Sequence, residues 1–559
     1  MFTLKIQTEL KQSEEFDILI IGGGITGIAI AREAAERGNS VGLIEKNDFF
    51  CATSSATSKL IHGGLRYLEN FEIHLVRESL KERRILMLSA SHLVKPIPFI
   101  IPILPWTQPN PLFIQTGLRL YDLLSYDRNE FLPEESFIPN ARRISQHELL
   151  NVLPELKTIT KHGGFMYYDC QNIYPERLAL SFLKSAAEKG AKFYNHIQIE
   201  NYIKENKNNK IYLRGLEVKD TITGKTATLK AKVIVNATGP WMDIVLSEIL
   251  NQKIQSIQRS KGIHLLTKPI LNQKVAVLFR TKKHRHFFVI PWKNFSLIGP
   301  TDTPFTDHPD HLRPTQEDIE ELIKDFNDTV PGNLLSKDMI LDVPIGIRPL
   351  ISSNQNTYKT SRKYQIFDHS KENQIEGLIS VTGGKWTTSR KLGEEVIKYI
   401  YRKFPNLEDK SRKIDTSVLP LYSSPGYSNS SSIYENFALK EFRIQEISQE
   451  QHKYLISLYG TEHIEILKII KENPKLAEPI SNDFSKGDIY AQILFSIEYE
   501  GARTLEDIVK RRIEYGNYGK PKEEVLNKIA KFASKYLNWN SSRIKEEVKK
   551  TLNSYTDLI

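Results

Sequence analysis

Cysteine is almost missing from this chain: its 559 residues include two, Cys51 and Cys170. Two cysteines outside any CxxC or metal-ligand spacing exclude a disulfide framework, suit a reducing compartment and call for no metal. Long apolar runs are missing too. None approaches the ~18–20 consecutive apolar residues of a membrane span, so any membrane contact is expected to be peripheral. The first fifteen residues have no apolar h-region and no cleavage site, and no signal peptide is expected. Basic residues interleaved with aromatics along one face are also lacking. The positive C-terminal charges are mixed with Glu506, Glu514, Glu523 and Glu546, which argues against nucleic acid as a partner. What is present is globular, with 40% hydrophobic and 26% charged residues. At ~100–200 residues per domain the length suits two or three domains. A formal net charge of +10 favours anionic partners, including phosphorylated substrates and an anionic membrane surface.

The most informative stretch is Asp17 to Gly27, Asp-Ile-Leu-Ile-Ile-Gly-Gly-Gly-Ile-Thr-Gly, with Glu45 closing a second apolar run. Gly22 allows a tight turn, Gly24 lets the backbone approach a pyrophosphate, and Gly27 lets a helix pack closely on the strand. Ile25 and Thr26 open that helix, whose N-terminus offers N–H groups and a positive dipole end to phosphates. Glu45, followed by Lys46, places a carboxylate where two ribose hydroxyls would lie. A dinucleotide site in a redox enzyme is expected.

A Ser/Thr-rich segment, Ala52 to Ser58, follows, and Glu72 to Ser91 reads as a helix. From Pro96 to Pro111 six prolines break an apolar stretch, which excludes a regular helix and leaves a buried lining loop or a lipid-dipping surface. Val233 to Trp241 reads as a buried strand ending in a small-residue turn. Phe287–Trp292 and Ser296–Gly299 read as a hairpin, and Leu378 to Lys385 as a strand running into a glycine turn. Pro420 to Ser432 has linker composition, and the chain beyond it reads as helical. The expected class is α/β, α+β overall. A Rossmann-like cofactor domain (14–92, 165–245, 375–405) carries an inserted antiparallel-sheet substrate domain (93–164, 246–374). A linker (406–432) leads to a helical C-terminal cap (433–559).

One nucleotide fold suffices for a nicotinamide enzyme. A two-domain flavin enzyme also needs later segments that return to the ring. The turns Asn236-Ala237-Thr238-Gly239 and Thr382-Gly383-Gly384-Lys385 are such segments. The second opens a helix whose N-terminus would stabilise negative charge on a reduced flavin. This favours FAD over NAD.

Ala52 to Leu68, Lys261-Gly262-Ile263-His264, Ile290-Pro291-Trp292, Thr301-Asp302, Gly346 to Leu350 and Gly383-Gly384-Lys385-Trp386-Thr387-Thr388 together resemble the signature blocks of FAD-dependent glycerol-3-phosphate dehydrogenases, within the D-amino-acid-oxidase-like flavoproteins. The blocks keep the family order over residues 16–400. The region past residue 430 resembles the family's helical cap more loosely. The resemblance implies oxidation of sn-glycerol 3-phosphate to dihydroxyacetone phosphate by hydride transfer from C2 to non-covalent FAD. It further implies reoxidation by a membrane quinone, and a protein lying on the cytoplasmic face of the membrane. Oligomeric state, a homodimer included, is left open. Ser54, Ser55, Ser58, Thr53, Leu60, His62, Gly63, Gly64, Trp386 and Thr387 join the glycine turns as expected FAD contacts.

The substrate dianion calls for cations, and arginine suits it because its planar fork can donate two hydrogen bonds. Arg66, Tyr67, Arg348 and Lys385 are the expected ligands, with Lys385 also able to serve the flavin. For the hydroxyl proton, His264 is the expected base, its unperturbed pKa near 6.5 being suitable, with Arg348 the alternative. A glycerol-3-phosphate oxidase using oxygen, or an amine or amino-acid oxidoreductase of the same fold, are the rival readings. No long insertion of the kind expected in oxidases is evident, and three cations suit a dianion better than a carboxylate. Two departures from the family pattern stand out. Tyr174-Pro175-Glu176-Arg177-Leu178 replaces an Asp-Asp-Ala-Arg-Leu type segment, and Trp386 stands where smaller aliphatic residues are common. Cys51 is expected to be a small packed residue.

Overall fold

A computed structural model of the chain describes residues 4–107, 110–207, 210–351, 364–410, 413–426, 431–481 and 487–558. Part of the expected linker (411–412, 427–430) therefore lies outside the described residues. Strand Ser13–Ile21, helix Ile25–Glu36 and strand Val41–Ile44 form the expected βαβ unit. They belong to a sheet ordered Gln365–Asp368, Leu378–Thr382, Thr226–Asn236, Ser13–Ile21, Val41–Ile44, Lys192–Tyr194. All neighbours pair in parallel except the first. Parallel strands are covered on both faces, which is why Asp17 to Ile21 reads as a continuous apolar run. Ile18 and Ile20 face one core, beneath helices Ile25–Glu36, Pro175–Glu188 and Ser389–Lys403. Leu19 and Ile21 face another, with Leu213, Leu216 and Leu246.

The second large sheet runs Ile340–Asp342, Leu265–Thr267, Phe295–Gly299, His286–Trp292, Ala276–Arg280, Val94–Pro102, Gly164–Asn172, Leu60–Ile61. The expected hairpin is there, with Val289 opposite Ile298. Two expectations need correction. The proline-punctuated stretch is a strand over Val94–Pro102, paired along its length with Gly164–Asn172. It tolerates its prolines because its other edge pairs only at Phe99 and Ile100. Gly164–Asn172, expected in the cofactor unit, thereby joins the substrate sheet, while Gln365–Asp368 joins the cofactor sheet. A three-stranded sheet, Thr303–Pro304, Ile257–Ile263 and Ile345–Ile351, closes the substrate region beside the cofactor turns.

The C-terminal helices dock through buried charge. Arg512 donates two hydrogen bonds to Asp48 at 2.8 and 2.9 Å, and Arg511 donates to the same carboxylate at 2.7 Å. Arg177 and Lys184, on helix Pro175–Glu188, meet Glu500 at 2.8 and 3.2 Å, and Lys184 meets Glu462 at 2.6 Å. That helix thus serves cap docking. His196 Nε2 lies 2.9 Å from Asp507. Burial lowers the His196 pKa, but the Asp507 carboxylate outweighs it and holds the imidazole above its ordinary value. A raised folded pKa contributes stability fully present below the unfolded value of ~6.5 and lost as pH rises through the folded one. Unfolding free energy should therefore fall as pH rises above about 6.5. His196→Gln should flatten that part of the profile in urea titrations, and an unchanged slope would refute the assignment.

Candidate active site: a dinucleotide groove leading to a cationic cavity

The glycine turn is built for close approach. Gly22 has φ of +109°, and a Cβ there would lie 2.7 Å from the carbonyl oxygen of Ala237. A Cβ on Gly27 would lie 2.0 Å from the Gly22 carbonyl oxygen, so the helix is locked onto the turn. Glu45 accepts from the N–H of Gly23 at 2.8 Å and of Asn47 at 2.9 Å, and burial pushes its carboxyl pKa up. Ser54 Oγ accepts from the N–H of Ile25 at 2.9 Å, at the open end of the helix. Trp386 Nε1 donates to the Ser54 carbonyl at 3.2 Å and packs edge-on to Phe182, so it anchors the Ser54 turn. Thr387 Oγ1 accepts from the His62 N–H at 3.3 Å. Thr238 Oγ1 donates to Asn236 at 2.7 Å. Gly239, Gly383 and Gly384 all have positive φ, as tight turns require.

These contacts form one unbroken line from Glu45 through Gly22–Gly24, Ala237, Ser54 and Trp386 to Thr387, His62 and Gly64. An elongated dinucleotide fits that line: backbone N–H groups at a helix N-terminus, a carboxylate at one end, a cavity at the other. Three expected contacts point elsewhere. Lys46 pairs with Asp310 at 2.6 Å and lies over Trp241. Ser55 turns back onto the Ala52 carbonyl at 2.9 Å. Thr53 Oγ1 donates to the Ile347 carbonyl at 2.7 Å, tying the Ser/Thr-rich segment to the Arg348 strand.

At the far end lies a cavity of about 400 Å³. Ser58, Leu60, His62, Gly64, Arg66, Tyr67 and Arg348 line it, bringing together most of the expected substrate and flavin contacts. Gly63 is held by Asp169, which accepts from the Gly63 N–H at 3.2 Å, from Tyr121 at 2.8 Å, and from Arg83. Arg348 Nη2 donates to the Thr301 carbonyl at 3.0 Å, and Nη1 lies 3.8 Å from Asp302. The expected base and one expected ligand stand behind the wall. His264 is buried, its Nε2 2.8 Å from Ser58 Oγ, so Ser58 presents the pair to the cavity. Burial, then the charges of Arg348 and Lys59, lower its pKa to about 3. Lys385 Nζ lies over the Tyr67 ring at 3.9 Å and donates to Ser79 Oγ at 2.9 Å, buttressing Tyr67. Arg280 and His286 also line the cavity and were not anticipated. They sit in strands rather than motifs; the available signal is that they are the polar members of a hairpin's alternating face. Cys51 and Cys170 take no part. Burial pushes the Cys51 thiol well up and the Cys170 thiol to about 12.

Residues 17–397 match the family model described as FAD dependent oxidoreductase. The chain belongs to the FAD-dependent glycerol-3-phosphate dehydrogenase family. Residues 414–544 match the C-terminal domain of alpha-glycerophosphate oxidase. A glycerol-3-phosphate dehydrogenase of Synechocystis sp. is 31% identical over 555 residues, covering 96% of each chain. A glycerol-3-phosphate dehydrogenase of Mycobacterium leprae is 31% identical, over 96% of this chain and 87% of its own length. The crystal structure of glycerol-3-phosphate dehydrogenase from Bacillus halodurans, complexed with FAD, shares the fold, with a TM-score of 0.71. It is 24% identical, over 98% of this chain and 96% of its own. FAD is the cofactor that the groove serves in this family, and the α/β fold with a helical C-terminal region is the family's.

Proposed function

We propose that the protein oxidises sn-glycerol 3-phosphate at C2 to dihydroxyacetone phosphate and passes the electrons to a membrane quinone. The observation that carries this reading is that Arg66, Arg280 and Arg348 line one mainly apolar cavity at the end of the FAD groove. When bound, FAD supplies the two-electron acceptor. Arg66 and Tyr67 hold the phosphate, with Tyr67 braced by Lys385. Arg348 donates to the C2 oxygen and stabilises negative charge on it as its proton leaves. As that proton leaves, Ser58 Oγ accepts it and passes its own to Nε2 of His264. With a pKa of about 3 the imidazole is neutral at working pH, so Nε2 is open to receive it.

The quinone part rests on the cavity mouth. Among the described residues no helix is long and apolar enough to cross a membrane. Phe71, Ile73 and Phe113 rim the cavity and are 81%, 39% and 57% exposed, and Leu112 beside them is 70% exposed. Such an apolar rim suits shallow insertion into the lipid surface, where quinones partition, with the protein on the cytoplasmic face. The basic C-terminal helices suit that role less, because Lys528, Arg543 and Lys550 pair with neighbouring glutamates. Replacing Leu112 and Phe113 with glutamate should abolish flotation with anionic liposomes and leave turnover with a soluble quinone analogue intact. Undiminished flotation would exclude the rim. The activity is tested by anaerobic titration of the yellow holoprotein with sn-glycerol 3-phosphate, followed by a quinone analogue. Bleaching and then recovery of the flavin is expected. Stoichiometric peroxide in air with no quinone dependence would establish the oxidase instead.

A further inference from the structure

Ser58 lines the substrate cavity, while its neighbour Lys59 lines a second, larger cavity of about 1020 Å³ between the C-terminal cap and the rest of the chain. Lys59 has φ of +54°, a left-handed conformation that non-glycine residues rarely adopt. The Thr57 hydroxyl accepts from the Lys59 N–H at 3.1 Å, and the Lys59 carbonyl accepts from the Asn172 N–H at 2.9 Å. The backbone is thus pinned in a strained shape that sends successive side chains into separate spaces. Thr57, Leu266, Pro344 and Ile345 also line the second cavity, and the Pro344 carbonyl accepts from the His264 N–H at 2.8 Å. The Ser58–His264 pair therefore stands in the partition between the two cavities.

That pair receives a proton it cannot keep. With a pKa of about 3 the His264 imidazolium is a strong acid, and its proton must move on before the next turnover. Glu176 lines the second cavity and is 5% exposed; among the described residues its carboxylate is hydrogen-bonded by its own N–H alone. Burial pushes its carboxyl pKa up against the pull of Lys59, with Glu514 adding to the rise and Lys293 opposing it. Asp342 lines the same cavity, and burial raises its pKa against Lys510, the Val343 N–H and Lys59. A carboxyl with a raised pKa takes up and returns a proton more readily near neutral pH. The Lys59 ammonium, seated over the Trp292 ring at 4.4 Å, acts on all three groups. Its charge repels a proton on His264 and stabilises the ionised carboxylates that await one. The cavity is polar and roomy enough to hold water, and it reaches solvent beside Glu506 and Asp557, whose side chains are 36% and 79% exposed.

We propose that the second cavity is the proton outlet of the reaction, with Glu176 the first carboxylate to receive the proton and Asp342 the next on the way to solvent. This rests on the substrate reading above and deepens it. The C2 O–H bond breaks, Ser58 takes that proton, and its own passes to His264. The imidazolium gives up one of its two N–H protons, through cavity water, to the Glu176 carboxylate. The resulting carboxylic acid returns it to bulk solvent. Each turnover thus releases one proton through the partition while the C2 hydride passes to bound FAD, and the substrate cavity can stay apolar.

The test mixes FAD-loaded full-length protein anaerobically with sn-glycerol 3-phosphate and follows flavin bleaching beside a pH-indicator dye. Glu176→Gln keeps the shape and loses the carboxylate. It should slow bleaching by about 10–100-fold, at or below the low end of what a positioned proton acceptor contributes. Formate, a carboxylate small enough to enter the cavity, should restore the rate in proportion to its concentration. The wild-type rate should fall as pH drops through the raised Glu176 pKa, and the variant should lack that limb. Asp342→Asn should delay the dye response and leave bleaching nearly intact. It carries the test alone if Glu176→Gln does not hold flavin, and a dye response in step with bleaching then overturns the outlet. The inference is also overturned if Glu176→Gln bleaches and releases its proton at the wild-type rate, or if a slowed variant keeps the wild-type pH profile and ignores formate. Wild type that sn-glycerol 3-phosphate does not bleach would overturn the substrate reading instead.

Discussion

Arg348→Gln should lower kcat by about 10²–10³-fold, or ~2.7–4 kcal/mol, while the protein keeps its flavin and fold. The guanidinium donates to the Thr301 carbonyl and lies beside Asp302, and the space it occupies exists because residue 262 has no side chain. A Cβ on Gly262 would lie 2.5 Å from Arg348 Nη2 and 2.6 Å from the Thr301 carbonyl oxygen. Gly262→Ala should therefore reproduce much of the defect without touching a charged group, because it displaces the fork from the C2 oxygen. Steady-state rates with an artificial acceptor, beside flavin content per chain, check both. A Gly262→Ala enzyme with wild-type kcat would show that Arg348 acts through charge rather than placement, and an Arg348→Gln enzyme with wild-type kcat would remove it from the chemistry.

The second large effect is on stability. Asp48→Asn should destabilise the holoprotein by about 3–5 kcal/mol, because it leaves Arg511 and Arg512 short of their shared carboxylate in a buried site. Asp48 and Arg512 are both fully buried, and Arg512's remaining acceptor is the Glu500 carbonyl at 3.2 Å. Urea unfolding should show the loss, and proteolysis between residues 404 and 431 should quicken as the cap loosens. A loss under ~1 kcal/mol would mean that the cap is held by its apolar contacts and the Lys184–Glu500 group instead.

The cofactor half of this molecule was legible because backbone geometry demanded particular residues. A tight turn, a close helix and a carboxylate that accepts from the Gly23 N–H leave Gly22, Gly27 and Glu45 few substitutes, and their spacing survives in one dimension. The substrate half was legible only where motifs ran in order. Val94–Pro102 escaped recognition as a strand because proline normally argues against one, and only the sparse pairing of its far edge permits it. His264 was expected to titrate near its ordinary value. Burial and two neighbouring cations remove that option, and all three are properties of the folded site. Lys385 illustrates a further limit: a motif can place a residue at a site without saying whether it faces the ligand or braces the residue that does. Arg280 and His286 belong to no motif, and strand pairing alone turns them inward.

Asp169 joins three things that look separate in sequence. Its carboxylate holds the Gly63 turn beside the flavin groove, the Arg83 guanidinium, and the hydroxyl of Tyr121 on the helix whose start carries the apolar rim. Swinging that helix aside would break a buried charge-assisted hydrogen bond worth ~1.5–3 kcal/mol and would disturb the flavin-side turn as well. The mouth of the cavity is therefore an aperture of fixed bore, not a lid. Access to the cavity is metered by the width of the opening.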